Sequence, residues 1–339
     1  MPLGSRPEPR VVGSASPETK RTAQREIVER FGEGHFDSFT EKELSELKDV
    51  EIEKSPEQIE EIRVANELTN ELLEKFGLRG FDIPLDNIHF IKGEHLEKIG
   101  SGGLTMTTVP KLQAIIVNAS YYGKKENSTV AQALTMFHET VHLKGHFSLR
   151  IKGEDKTSTD RSGLVIHNPR KEKDSSDQEA WFDGLNEAVV TQIEAEYKER
   201  ILGDNSFLKE QVEYLKSEES QNLAKDFAQK RGISEEDIEW IGRDGEEIEV
   251  FMQGYHPQRQ MLNYVVDQIY ADGGFASRQE VMDIFFAAHF KNSILPIGRL
   301  LEKTFGKGSF EFLGRIGRDA DSPSVQKAMD FLMERRKQR

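Results

Sequence analysis

The chain contains no cysteine, which excludes disulfides, thiolate metal sites and cysteine nucleophiles together. Any metal must then be held by His, Asp or Glu. Long apolar runs are also missing: with 36% hydrophobic and 31% charged residues, no stretch approaches the length of a membrane-spanning helix. No membrane partner is expected. Nor is there an excess of positive charge. At a formal net charge of −14 the chain has no general affinity for phosphate backbones, so no nucleic-acid partner is expected. The cluster Arg335, Arg336, Lys337 and Arg339 reads as a solvated helix end whose cations suit the macrodipole. The glycines at Gly100 to Gly103 and Gly306 to Gly308 carry no phosphate-loop pattern, and no internal repeat is present. Met1 to Lys20 lacks the continuous apolar segment of a secretory signal, so a cytoplasmic location is the default expectation.

What the chain does have is His138-Glu139-Thr140-Val141-His142. On a helix of 3.6 residues per turn, His138 and His142 stack on one face and grip one divalent cation, while Glu139 projects beside them toward a water on that cation. The segment reads as a helix. Val130, Ala133, Leu134, Phe137 and Val141 recur at three- and four-residue spacing, Ser128 offers an N-cap, and Gly145 closes the end. A second helix, from about Asp177 to Arg200, carries Gly184-Leu185-Asn186-Glu187-Ala188-Val189-Val190, which sets a carboxylate in apolar surroundings. Catalytic zinc favours three protein ligands and one open position, and two His with one Glu is an accepted set. Glu187 is the expected third ligand, with Glu179, Glu194 and Glu196 on the same helix as alternatives.

The 339 residues suffice for one large or two modest domains. Met1 to Ser16, with three prolines, reads as a disordered tail. Helices are expected over Glu18 to Phe31, Glu41 to Val50 and Pro56 to Phe76, the last opened by Ser55-Pro56 and stopped by Gly77. Strands follow at Asn87 to Ile91, Leu104 to Val109 and Leu112 to Asn118. Between the two ligand helices, Phe147 to Ile151 and Gly163 to His167 are expected to pair, bridged by the polar stretch Lys152 to Ser162 as a flap; His167 is a surface or pairing residue. After Arg200 the pattern is helical almost throughout, with Phe285, Phe286, Phe290, Leu295, Leu300 and Leu301 as core.

The His-Glu-x-x-His helix followed by an Asn-Glu-Ala helix resembles the gluzincin metallopeptidases, the thermolysin-like branch of the zincins. The resemblance covers Leu112 to Glu196, less than a third of the chain. It implies zinc as the cofactor, His138, His142 and Glu187 as ligands, and Glu139 as general base. The metzincin pattern does not fit, because Ser148 stands where it wants a third histidine and His146 lies off that register. It also implies an α+β, mostly helical fold. The expected layout is a tail (1–16), a helical segment (17–80), an upper lobe with a small mixed sheet, the metal helix and an insert (81–176), and a helical lower lobe carrying the third ligand (177–339). Within the upper lobe, Ile115 to Tyr121 would be the edge strand that pairs with an extended substrate, with Asn118 and Ala119 beside the cleft. The carboxylate that usually follows the ligand Glu by one turn, orienting a histidine, is replaced by Thr191; Asp183, one turn before, is the substitute considered.

A tetrahedral oxyanion needs a donor besides the metal. Tyr255 and His256, just before Pro257 and its helix, are the candidates. The leading functional expectation is therefore a zinc metallopeptidase acting on a peptide or protein substrate. A metal hydrolase or effector protease of narrow specificity would use the same residues. A non-enzymatic helical interaction protein with an incidental motif is the third reading, which metal content separates from the other two.

Overall fold

The computed structural model describes residues 8–33, 50–98, 106–110, 113–122, 128–152, 156–167, 180–244 and 247–338. In chain order its elements are β1 (Arg10–Gly13), α1 (Pro17–Glu33), α2 (Pro56–Lys75), β2 (Ile88–Ile91), α3 (Gly93–Lys98), β3 (Met106–Val109), β4 (Ala114–Asn118), α4 (Ala119–Tyr122) and α5 (Ser128–Lys144). Next come β5 (Phe147–Lys152), β6 (Lys156–Ser162), β7 (Val165–His167), β8 (Ala180–Trp181), α6 (Asp183–Gly203), α7 (Lys209–Leu215), α8 (Glu218–Arg231), β9 (Ile238–Asp244) and β10 (Glu247–Met252). The chain closes with α9 (His256–Ala271), α10 (Arg278–Lys291), α11 (Ile294–Phe305), α12 (Ser309–Gly314) and α13 (Ser322–Lys337). It is mostly helical with small mixed sheets, as the α+β expectation requires. The helix expected over Glu41 to Val50 lies almost wholly outside the described residues.

Two compact units divide the chain: one holds Arg25–Leu143 and Glu194–Gly254, the other Pro9–Gln24, Lys144–Ile193 and Tyr255–Arg339. In the first, helix α2 starts where the sequence says it should. Ser55 accepts from the Gln58 N–H while the Gln58 side chain accepts from the Ser55 N–H, a reciprocal cap with Pro56 in the first turn. Its three-stranded sheet runs β2-β4-β3, and β4 lies in the middle, parallel to β2 and antiparallel to β3. All five residues of β4 are buried, and its apolar run Ala114 to Val117 suits a strand covered on both faces. The substrate-pairing edge expected at Ile115 to Tyr121 is therefore corrected: the N–H and C=O groups of β4 are already used by both neighbours.

Glu61 of α2 is 2% exposed and receives a hydrogen bond from Gln132 of α5 at 2.5 Å. Burial, opposed by that hydrogen bond and assisted by the Glu57 charge, pushes its pKa from the ordinary 4.5 to about 8. Between those values the folded chain holds a proton that the unfolded chain has lost, so stability falls as pH rises from 4.5 toward 8 and levels off above it. Glu61→Gln is expected to stabilise the protein by about 2 kcal/mol at pH 8 and by little at pH 5. Urea unfolding at the two pH values checks this; an equal effect at both would contradict it.

The second unit contains a five-stranded sheet, β1-β5-β6-β7-β8. Residues 10–13, assigned to a tail from composition, form its edge by pairing parallel to β5, from Arg10 opposite Ser148 to Gly13 opposite Ile151. The flap expectation also changes. The polar stretch is itself strand β6, lying between β5 and β7 and pairing antiparallel with each. Its polar residues are matched across the ladder: Asp160 accepts from Arg150 Nε at 2.8 Å and from the Ser148 hydroxyl at 3.3 Å.

Two departures concern the C-terminal half. In the first unit, Ile238 to Met252 form an antiparallel hairpin, β9 with β10, within a region read as helical. In the second, Phe285, Phe286, Phe290 and Leu301 are buried as expected, but Leu295 is 65% exposed and does not belong to the core.

Candidate metal centre

Helix α5 is anchored before it carries any chemistry. Val130, Leu134, Phe137 and Val141 are fully buried, and the Phe137 ring stacks on Tyr197 of α6 with centroids 5.6 Å apart. From the sheet, the Thr108 hydroxyl of β3 donates to the Glu139 carbonyl at 2.9 Å. The helix is thereby gripped at the motif itself.

His138 and His142, one turn apart, bring their Nε2 atoms to 3.1 Å, with ring centroids 4.8 Å apart. Zinc bonded to nitrogen at about 2.0–2.1 Å in a tetrahedron sets two ligand nitrogens about 3.3 Å apart, so the pair already stands near the required edge. The Glu187 carboxylate completes the group: one ligand atom from each of His138, His142 and Glu187 lies within 4.8 Å of the others. Glu187 itself is buried. A buried carboxylate beside two imidazoles, with no thiol in the chain, is a donor set that fits a divalent cation of borderline hardness.

The ring of His138 is oriented from behind. Its Nδ1 meets Glu194 Oε2 at 2.8 Å, which fixes the tautomer with Nδ1 protonated and turns Nε2 toward His142. Glu194 follows Glu187 by seven residues on one unbroken helix, two turns along the same face. Asp183, the substitute considered, opens the same helix. Its carboxylate pairs with Arg318 Nε at 3.5 Å. Thr191 bonds back to the Glu187 carbonyl at 2.8 Å, inside its own helix. Behind Glu194 stands Glu239 of β9, whose pKa is raised well above the carboxylate range by burial and then by the charge and hydrogen bond of Glu194. The shift favours the protonated form of Glu239, the form able to donate a hydrogen bond to Glu194.

Helix α6 is placed by its first turn. Phe182, in the left-handed region at φ 66°, turns the chain from β8 into the helix, and its N–H donates to the Gly314 carbonyl at 2.7 Å. Gly184 lets the next approach happen: a Cβ there would stand 2.7 Å from the Gly317 carbonyl oxygen and 2.8 Å from that of Ile316. Arg318, which follows directly, has its carbonyl held by Gln258 Nε2 at 2.7 Å. Burial lowers its pKa, but the charges of Asp183, Glu187 and Tyr255 outweigh that and raise it. A guanidinium thus stands in the field of Glu187 and of Tyr255.

Tyr255 caps α9 in the left-handed conformation (φ 53°, ψ 34°) without a side-chain cap bond. For a non-glycine residue this costs on the order of 1–2 kcal/mol. His256 places its Nε2 2.8 Å from Gln260 Nε2 on the same helix. Asn186, next to Glu187, accepts the Leu164 N–H at 2.9 Å and has a packing role.

Sequence reasoning named Glu194 only as an alternative ligand and passed over Glu239 and Arg318. The seven-residue interval from Glu187 is the signal that identifies Glu194 as a same-face carboxylate; nothing in the linear pattern marks the other two. No protein-family model matches this chain, and no curated protein and no solved structure matches it.

Proposed function

We propose that the chain is a zinc metallopeptidase, hydrolysing peptide bonds with His138, His142 and Glu187 as ligands and Glu139 as general base. What supports this reading is the convergence of the three donors within 4.8 Å beside a glutamate on the same helix. Zinc in a three-ligand site supplies an acidified water and a Lewis acid for the scissile carbonyl. The half-exposed Glu139 carboxylate takes the proton of the attacking water and delivers it to the departing amine as the C–N bond breaks. Glu194 holds the His138 ring throughout, so no reorientation accompanies the change in charge.

The Tyr255 hydroxyl, in its strained cap and sensed by Arg318, is the donor assigned to the oxyanion. Tyr255→Phe is expected to lower kcat about 10²-fold with KM little changed. An unchanged kcat would retire the assignment and leave Arg318 as the donor to test.

The reading as a whole is tested with a peptide library and mass-spectrometric detection of new termini. Zinc-loaded protein should cleave, chelation should stop cleavage, and added zinc should restore it. A zinc-loaded chain that cuts nothing in the library overturns the proposal.

A further inference from the structure

The segment that follows α12 brings a cation to the face of α6 that carries Glu187. Asp183 and Glu187 are four residues apart on that helix and share a face, with Cβ atoms about 5–6 Å apart. Arg318 meets the first of them, its Nε 3.5 Å from Asp183 Oδ2. The backbone that presents it is tied down. Gln258, buried on α9, donates to the carbonyls of Arg318 and Ala320 at 2.7 and 2.9 Å, and the Gly184 N–H donates to the Ile316 carbonyl at 3.1 Å. The guanidinium is left open: the side chain is 56% exposed, and it donates no hydrogen bond among the described residues. An ion pair this long and this solvated adds little to stability, so holding the fold does not account for the tethering. A fixed backbone carrying a charged fork of unused donors is a preorganised contact for an anion.

We propose that Arg318 determines substrate specificity by taking a carboxylate of the peptide, its planar N–H fork donating to both oxygens. This deepens the metallopeptidase reading and rests on it. The anion is a carboxylate because that is the one a peptide carries, and it matches the guanidinium fork oxygen for nitrogen. At a net charge of −14 the chain repels such a group over most of its surface, so a cation near Glu187 marks where one can dock. The spacing sets how far it lies from the cut. One helical turn, about 5.4 Å, is less than two residues of extended chain at about 3.3–3.6 Å each. The recognised carboxylate therefore sits one or two residues from the scissile bond, as the free C-terminus or as an Asp or Glu side chain.

The test measures binding to the full, zinc-loaded chain carrying Glu139→Gln, so that peptide is held without being cut. Titration calorimetry compares two matched pairs: hippuryl-phenylalanine with its C-terminal amide, and hippuryl-glutamic acid α-amide with hippuryl-glutamine amide. In one pair the acid should bind about 10- to 100-fold more tightly than its neutral partner, and the pair that shows it identifies the source of the carboxylate. Adding Arg318→Gln should bring acid and amide to equal affinity, and Arg318→Lys should keep only part of the difference, since a point charge lacks the fork. No preference for the acid in either pair, or a preference that survives Arg318→Gln, would overturn the proposal. Should Arg318→Gln fail to fold, Asp183→Asn decides it: freed from that carboxylate, the guanidinium should raise the acid-to-amide ratio, and an unchanged ratio would overturn the assignment. Cleavage is read separately on the parent chain. A parent that binds the acid through Arg318 and cuts nothing removes the peptidase reading, whereas a parent that cuts acid and amide alike removes the Arg318 contact.

Discussion

On the proposed reading, Glu139→Gln is expected to hold one equivalent of zinc and to lose kcat by about 10²- to 10⁴-fold. The substitution keeps the size and polarity of the side chain and removes only its ability to take a proton. The backbone carbonyl at 139, which receives the Thr108 hydroxyl bond, is untouched, so α5 keeps its seat and the two imidazoles their spacing. Metal analysis and single-turnover kinetics on the same preparation separate the two effects. A Glu139→Gln variant that turns over normally would place the proton transfer elsewhere. One that loses its metal would mean that Glu139 coordinates rather than catalyses.

His142→Ala should reduce bound zinc from about one equivalent to none under dialysis, with the fold intact. Removing one of the three proposed ligands leaves two donors and no closed geometry. Glu187→Ala should weaken binding in the same direction. Glu194→Gln touches no ligand atom, yet it breaks the charge-assisted bond to His138 Nδ1 and should cost about 10- to 100-fold in affinity. Competition with a chromophoric chelator ranks the three. If Glu194→Gln loses metal as completely as His142→Ala while Glu187→Ala retains it, the third ligand has been misassigned.

The part of this arrangement that the sequence disclosed is the part governed by helical period. His138 to His142, the caps of α2 and the buried stripe of α5 all follow from spacing within one element. What stayed hidden depends on pairing between elements. Strand β6 is polar, Lys156-Thr-Ser-Thr-Asp-Arg-Ser, and its strand character comes from partners such as Arg150, which lie on another strand. The hairpin after Ile238 carries a legible turn in Asp244-Gly245 and alternating residues on either side, a signal overruled by the helices around it. Strand β4 was legible as a strand but not as a central one, because strand order is a property of the sheet. Glu239 and Arg318 reach the site from elements far away in sequence, and no local rule points to them.

One rod, α6, bears both the carboxylate that would face the ion and the one that steers the opposing ring. Adding or deleting a single residue between positions 187 and 194 would swing one acid about 100° around the axis relative to the other. The six residues from Ala188 to Ile193 therefore behave as a ruler. Their side chains are open to exchange within the limits of packing, but their number is fixed.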